Sequence, residues 1–175
     1  MKEIIKKQEQ VFQGDFLKVD RVMVELPNGR EGIRDIVRHP GAVAVLAIND
    51  EDEILLEYQY RTALDEVILE IPAGKVDPAE DRTAAAHREL EEETGFSARS
   101  MEYLGDVALA AGYSDEKISL YLARGLSEGQ EHRDEDEFLE WEFVPRSQVL
   151  EWIRTNQIQD SKTICAMFYL SLREF

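Results

Sequence analysis

Residues 74–96, GKVDPAEDRTAAAHRELEEETGF, read as a loop followed by a helix from about Asp81 to Thr94. Ala84, Ala85, Ala86 and Leu90 supply helix propensity and a buried stripe, and Gly95 stands where a left-handed residue ends a helix. Asp77, ahead of Pro78, and Asp81 both suit the N-cap. At about 100° per residue, Glu89, Glu92 and Glu93 share one exposed face while Glu91 points away. Like charges at these spacings destabilise a helix by roughly 0.2–0.5 kcal/mol per pair. A hard cation reverses that sign, because Mg²⁺ takes carboxylate oxygens and keeps places for waters and substrate phosphates.

Arg88 precedes Glu92 by one helical turn, close enough to pair with it and hold its rotamer. Gly74, after Pro72-Ala73, lets the backbone turn tightly between a strand and the loop, and Glu80 can reach back from that loop toward the acids. An ELEEE run alone is ordinarily a solvated acidic face. Gly74, Glu80, Arg88, Glu89, Glu92, Glu93 and Gly95 in one register are a different matter. Each residue type fills under about a tenth of positions, so chance produces the set roughly once in ten million starting points or less.

Outward from this segment, the first forty residues read as three strands, Gln8 to Phe12, Phe16 to Leu26 and Arg30 to Val37. Pro27-Asn28-Gly29 joins the last two as a hairpin turn. Three such strands make a poor core alone. His39-Pro40-Gly41 marks a boundary, and Gly41 to Ile48 is a continuous apolar run, as expected for a strand buried on both faces. Further strands are expected at Glu53 to Arg61, Val67 to Ile71, Met101 to Ala110, Ile118 to Arg124 and Phe138 to Pro145. Helices are expected over Arg146 to Thr155 and Ser161 to Arg173. Strands with helices between and after them indicate an α/β or α+β sandwich.

With 175 residues, 43% hydrophobic and 33% charged, the chain is long enough to bury a core and unlike a disordered tail. Its formal net charge of -17 repels phosphate backbones, and no basic patch offsets it, so a nucleic-acid partner is not expected. The single cysteine, Cys165, lies in an apolar pattern and reads as a core residue in a reducing compartment. No apolar signal region opens the chain and no run is long enough for a bilayer, so a soluble cytoplasmic protein without membrane partners is expected. His39, His87 and His132 show no metal-ligand spacing.

The segment resembles the Nudix box: a glycine, five residues, a glutamate, seven residues, then Arg-Glu-aliphatic-x-Glu-Glu-x-Gly-aliphatic. Gly74, Glu80, Arg88, Glu89, Leu90, Glu92, Glu93 and Gly95 match at every spacing, with Phe96 in the last apolar slot. His39-Pro40-Gly41-Ala42-Val43, Gln59-Tyr60-Arg61, Glu70-Ile71-Pro72-Ala73-Gly74 and Ser114-Asp115-Glu116 are similar to the ADP-ribose pyrophosphatase branch of that family. One departure is Ala111, where the branch commonly carries proline. The resemblance implies an α/β/α sandwich with a mixed sheet over residues 39–175. It also implies a small N-terminal antiparallel β-subdomain over residues 1–38, used for homodimerisation.

The resemblance further implies metal-dependent cleavage of a nucleoside diphosphate linked to a further group, here ADP-ribose giving AMP and ribose 5-phosphate. Glu89 and Glu93 are the expected principal ligands of Mg²⁺, or Mn²⁺ in its place, with Glu92, the Ala73 carbonyl and, less directly, Glu80. Glu92 and Arg88 count among the catalytic residues, and a general base is expected in the acidic stretch Gly129 to Phe138, where Glu137 and Glu135 are candidates. Arg61, Glu70, Ala73 and Gly74 are expected at the substrate, with Arg34 from a partner subunit and Glu116 near the terminal ribose. The alternatives are another nucleoside diphosphate sugar or dinucleotide pyrophosphatase, and a non-catalytic module that senses ADP-ribose. Retention of every box glutamate, with no effector segment expected beside the module, speaks against the second.

Overall fold

The structure, a computed structural model, describes residues 1–130 and 138–173. It contains two compact units, one of Met1–Gly41 with Ala108–Lys117, the other of Ala42–Val107 with Ile118–Phe175.

In the first unit, β1 (Ile4–Gln13), β2 (Lys18–Glu25) and β3 (Glu31–Arg38) form an antiparallel sheet in the order β1-β2-β3. Gly29 closes the β2–β3 turn at φ 80°, a conformation open to glycine without steric cost, and Leu26 N–H donates to the Arg30 carbonyl at 2.7 Å. β1 is exposed along its length, and register shifts interrupt its pairing with β2. The segment Ala108–Lys117 joins this unit through its backbone: Val37 N–H donates to the Tyr113 carbonyl at 2.7 Å. Arg38 Nη1 also pairs with Asp115 Oδ2 at 2.9 Å.

The second unit is built on a seven-stranded mixed sheet. β10 (Leu139–Pro145), β5 (Glu53–Arg61), β4 (Ala42–Ile48), β9 (Lys117–Glu128) and β8 (Phe96–Ala108) run side by side, with β6 (Glu66–Glu70) on β5 and β7 (Ala73–Lys75) on β4. β4 and β9 are parallel, and β7 lies antiparallel to β4. Alternation along β4 assigns the layers. Val43, Val45 and Ala47 pack with Ala85, Ala86 and Leu90 of α1 (Arg82–Thr94) on one face. Ala44, Leu46 and Ile48 pack with Val149 of α2 (Arg146–Arg154) and Ala166, Met167 and Leu170 of α3 (Ser161–Ser171) on the other. This is the expected sandwich. Each large side chain so buried contributes about 1.5–3 kcal/mol.

Some local expectations change. Ala84 is exposed, so the buried stripe of α1 is Ala85, Ala86 and Leu90. Asp81 is the N-cap, its carboxylate accepting from Thr83 and Ala84 N–H, while Asp77 N–H donates to Glu80 Oε2 at 3.0 Å. Gly95 caps the other end at φ 75°. β7 takes the place of the expected turn; three residues carry no strand signal of their own, and the pairing groups come from β4. Cys165 is a free thiol against the core, and burial pushes its pKa up.

Candidate active site

β7 sets Ala73 and Gly74 opposite Ala44 and Val43 of the central strand, and α1 lies over it. A Cβ on Gly74 would stand 2.1 Å from Glu89 Cδ and 2.2 Å from each carboxylate oxygen, so the Glu89 head group occupies the space a side chain would take. Glu93 Oε2 accepts from Ala73 N–H at 3.0 Å. Glu89 and Glu93 are 8% and 3% exposed, which corrects the expectation of an exposed acidic face. Packing against β7 covers the helix where its periodicity showed only acids. Glu92 is partly exposed and Glu91 exposed.

Arg88 gathers the rest. Its Nε and Nη2 donate to Glu80 Oε1 and Oε2, each at 2.9 Å, and its Nη1 donates to Glu89 Oε1 and Glu92 Oε2, each at 2.8 Å. Nη2 also reaches the Lys75 carbonyl at 3.1 Å. The expected Arg88–Glu92 pair is therefore one contact of several. The Glu80 hydrogen bonds raise the Arg88 pKa most, burial opposes them, and Glu92 and Glu89 add to the rise. Reciprocally, Arg88 and then the Asp77 N–H hold the Glu80 carboxyl below its ordinary range.

Among the described residues, no three acidic, histidine or cysteine side chains are grouped to hold a cation as they stand, since Glu80, Glu89 and Glu92 are turned onto Arg88. The donor set itself is hard oxygen, and Glu89 is seated against a residue with no side chain. That chemistry fits Mg²⁺ or Mn²⁺.

Arg61, on β5, reaches the same region electrostatically. Burial is the largest effect on its pKa and lowers it, but the hydrogen bond and charge of Glu70, then the charges of Glu93 and Asp160, raise it overall. Glu70 is buried at 1% exposure, with Oε1 on Arg61 Nε at 2.8 Å and Oε2 on Lys162 Nζ.

A model of the NUDIX domain matches residues 38–166. The chain belongs to the Nudix family. It is 48% identical to a methanol dehydrogenase activator of Bacillus methanolicus, over 96% of this chain and 92% of that protein. It is 42% identical to an ADP-ribose pyrophosphatase of Bacillus subtilis (strain 168), over 95% and 91%. The crystal structure of an ADP compounds hydrolase aligns with a TM-score of 0.86 at 25% identity, covering 98% of this chain and 93% of that one. The Nudix chain is a hydrolase, and its resemblance to the ADP-ribose pyrophosphatase branch holds across the molecule.

Within this Nudix hydrolase the structure brings Ala73, Gly74, Glu80, Arg88, Glu89, Glu92 and Glu93 into one cluster, with Arg61 in the field of Glu93 and Glu70 bonded to Arg61. Arg34 and Glu116 belong to the first unit. There Arg34 Nη2 pairs with Glu3 at 2.5 Å, and Glu116 lies 3.8 Å from His39 Nδ1. Glu135, Glu137 and His132 fall outside the described residues. Sequence reasoning missed Lys162 and Asp160. A lysine in the first turn of a C-terminal helix carries no sign of a partner 92 positions away.

Proposed function

We propose that this hydrolase cleaves ADP-ribose to AMP and ribose 5-phosphate with Mg²⁺, or Mn²⁺ in its place, in the cytoplasm. The observation that carries the reading is the gathering of the box glutamates around Arg88 and Gly74. Similarity to the Bacillus subtilis ADP-ribose pyrophosphatase supports the substrate, and a single free cysteine suits the compartment. Glu89, Glu93 and Glu92 would hold the cation with the Ala73 carbonyl, and Glu80 would act less directly. When bound, it neutralises charge developing on the diphosphate and acidifies water for in-line attack at phosphorus. One phosphorus–oxygen bond of the P–O–P bridge breaks, the water oxygen stays on the attacked phosphorus, the other half leaves as a phosphate monoester, and the water's proton passes to a carboxylate. Glu137 and Glu135 are the candidates for that base. Arg88 keeps the glutamate rotamers from scattering, and the missing side chain of Gly74 leaves room for the Glu89 carboxylate.

With ADP-ribose and Mg²⁺ we expect equal amounts of AMP and ribose 5-phosphate, and no turnover once EDTA is added. Ala111 is the reason to run other diphosphates beside it. Preference for GDP-mannose, NADH or a nucleoside triphosphate would replace the substrate, and binding without metal-dependent turnover would make the chain a sensor. Similarity to the methanol dehydrogenase activator favours a second role, stimulation of such a dehydrogenase. An unchanged dehydrogenase rate in the protein's presence would remove that role.

We also infer a homodimer formed through the sheet of the first unit. Ile4, Ile5, Val11 and Phe12 of β1 and Ile33 of β3 are exposed apolar side chains of the kind that mark interfaces. Light scattering should read about twice the 20.1 kDa chain mass, and Ile33→Asp should halve it. A wild-type mass of one chain rules the dimer out.

A further inference from the structure

Behind Arg61 lies a buried chain of charges that the proposed chemistry does not use. Lys162, in the first turn of α3, is 7% exposed. Its Nζ bonds Glu70 Oε2 and lies 3.1 Å from Asp160 Oδ1. Asp160 caps α3, its Oδ2 accepting from Thr163 N–H at 2.9 Å and from Thr163 Oγ1 at 2.6 Å. Thr163 Oγ1 in turn accepts from Ile71 N–H at 3.0 Å, tying the helix start to the chain just before Pro72-Ala73-Gly74. Of the charged groups in this chain, Arg61 reaches solvent most, with its side chain 40% exposed.

The geometry at Glu70 is unusual for an arginine–carboxylate pair. A guanidinium facing a free carboxylate prefers a two-bond fork, one donor to each oxygen. Here Lys162 occupies Oε2, and Arg61 makes one bond, from Nε to Oε1. Among the described residues, its Nη1 and Nη2 donate no hydrogen bond. The Arg61 guanidinium lies within the field of Glu93, one of the glutamates proposed to hold the cation that grips the diphosphate.

We propose that Lys162 is a positioning residue for substrate binding. By holding Glu70 Oε2 it keeps Arg61 from forking onto that carboxylate, and so leaves the Nη1–Nη2 edge free for an anionic oxygen of the diphosphate. The inference rests on the diphosphate-hydrolase reading above, and gives Glu70 its effect through Arg61. It also accounts for a buried lysine, a group costly to desolvate unless paired from more than one side.

Steady-state kinetics and calorimetry with ADP-ribose test it. Lys162→Met frees Oε2, Arg61 forks onto Glu70, and KM should rise about tenfold with kcat within about twofold, the signature of lost binding common to ground and transition states. In an Arg61→Ala background the same change should leave KM where it is, because the two residues act in series. Lys162→Gln, whose amide N–H can still donate to Oε2, should keep KM within about twofold of wild type, and it serves if Lys162→Met does not fold. Three results overturn the proposal: an unchanged KM in Lys162→Met, an equal KM rise in the Arg61→Ala background, or a Lys162→Gln variant whose KM rises about tenfold. Wild-type protein that neither binds nor hydrolyses any nucleoside diphosphate derivative sinks the parent reading as well. An active wild type with any of those three outcomes refutes only the role of Lys162.

Discussion

Glu93→Gln should lower kcat by about a thousandfold or more, a loss of roughly 4 kcal/mol of transition-state stabilisation. The fold should survive. Glu93 is buried, and its Oε2 accepts from Ala73 N–H, a bond that the glutamine carbonyl oxygen can keep. What disappears is the charge, and with it the strongest reason for a cation to sit at this helix. Neutralising Glu93 relieves repulsion from its neighbouring acids and gives up attraction to Arg61, two opposed effects, so the melting temperature should stay within a few degrees of wild type. The measurement pairs a thermal melt with turnover across an Mg²⁺ titration. Near-wild-type rates in a folded variant would remove Glu93 from the metal site, and with it the proposed arrangement.

Gly74→Ala tests the cluster from the opposite side. The added methyl would sit 2.1 Å from Glu89 Cδ, inside any allowed contact, so the carboxylate must swing away and give up Arg88 Nη1 at 2.8 Å. Gly74 does not occupy the left-handed region, so alanine fits its backbone. The obstruction is the end of a flexible side chain, so the stability cost should stay within about 1–3 kcal/mol, as for one surplus methyl in a packed site. Activity should fall far more, by about a hundredfold or beyond, with half-maximal rate reached only at higher Mg²⁺. An alanine variant with wild-type metal dependence would show that Glu89 need not occupy this pose. The pairing of a small stability loss with a large catalytic one separates this outcome from simple misfolding.

Much of the site can be read along the helix because three- and four-residue spacing is a property of the backbone. Glu89, Glu92 and Glu93 on one face, Arg88 one turn from Glu92, and Gly95 as the terminator need no knowledge of the rest of the chain. Arg88 holding Glu80 is less visible, since it depends on how the loop from Lys75 to Asp81 closes. The burial of Glu89 and Glu93 escapes the sequence for a related reason. Acidic periodicity reports which residues share a face, and only the strand packed against them reports whether that face meets water.

Sequence patterning alone settled the α/β class, the family resemblance, the chemistry-bearing helix and the central strand Ala42–Ile48, because each is written in local spacing or in an unbroken apolar run. Folding in three dimensions was needed to seat Glu89 against Gly74, to join Ala108–Lys117 to the N-terminal sheet, and to set Lys162 on Glu70. Those are contacts between parts of the chain far apart in order. Their existence depends on which sheet edges and helix ends the whole core brings within a few ångströms, and neighbouring residues carry no record of that.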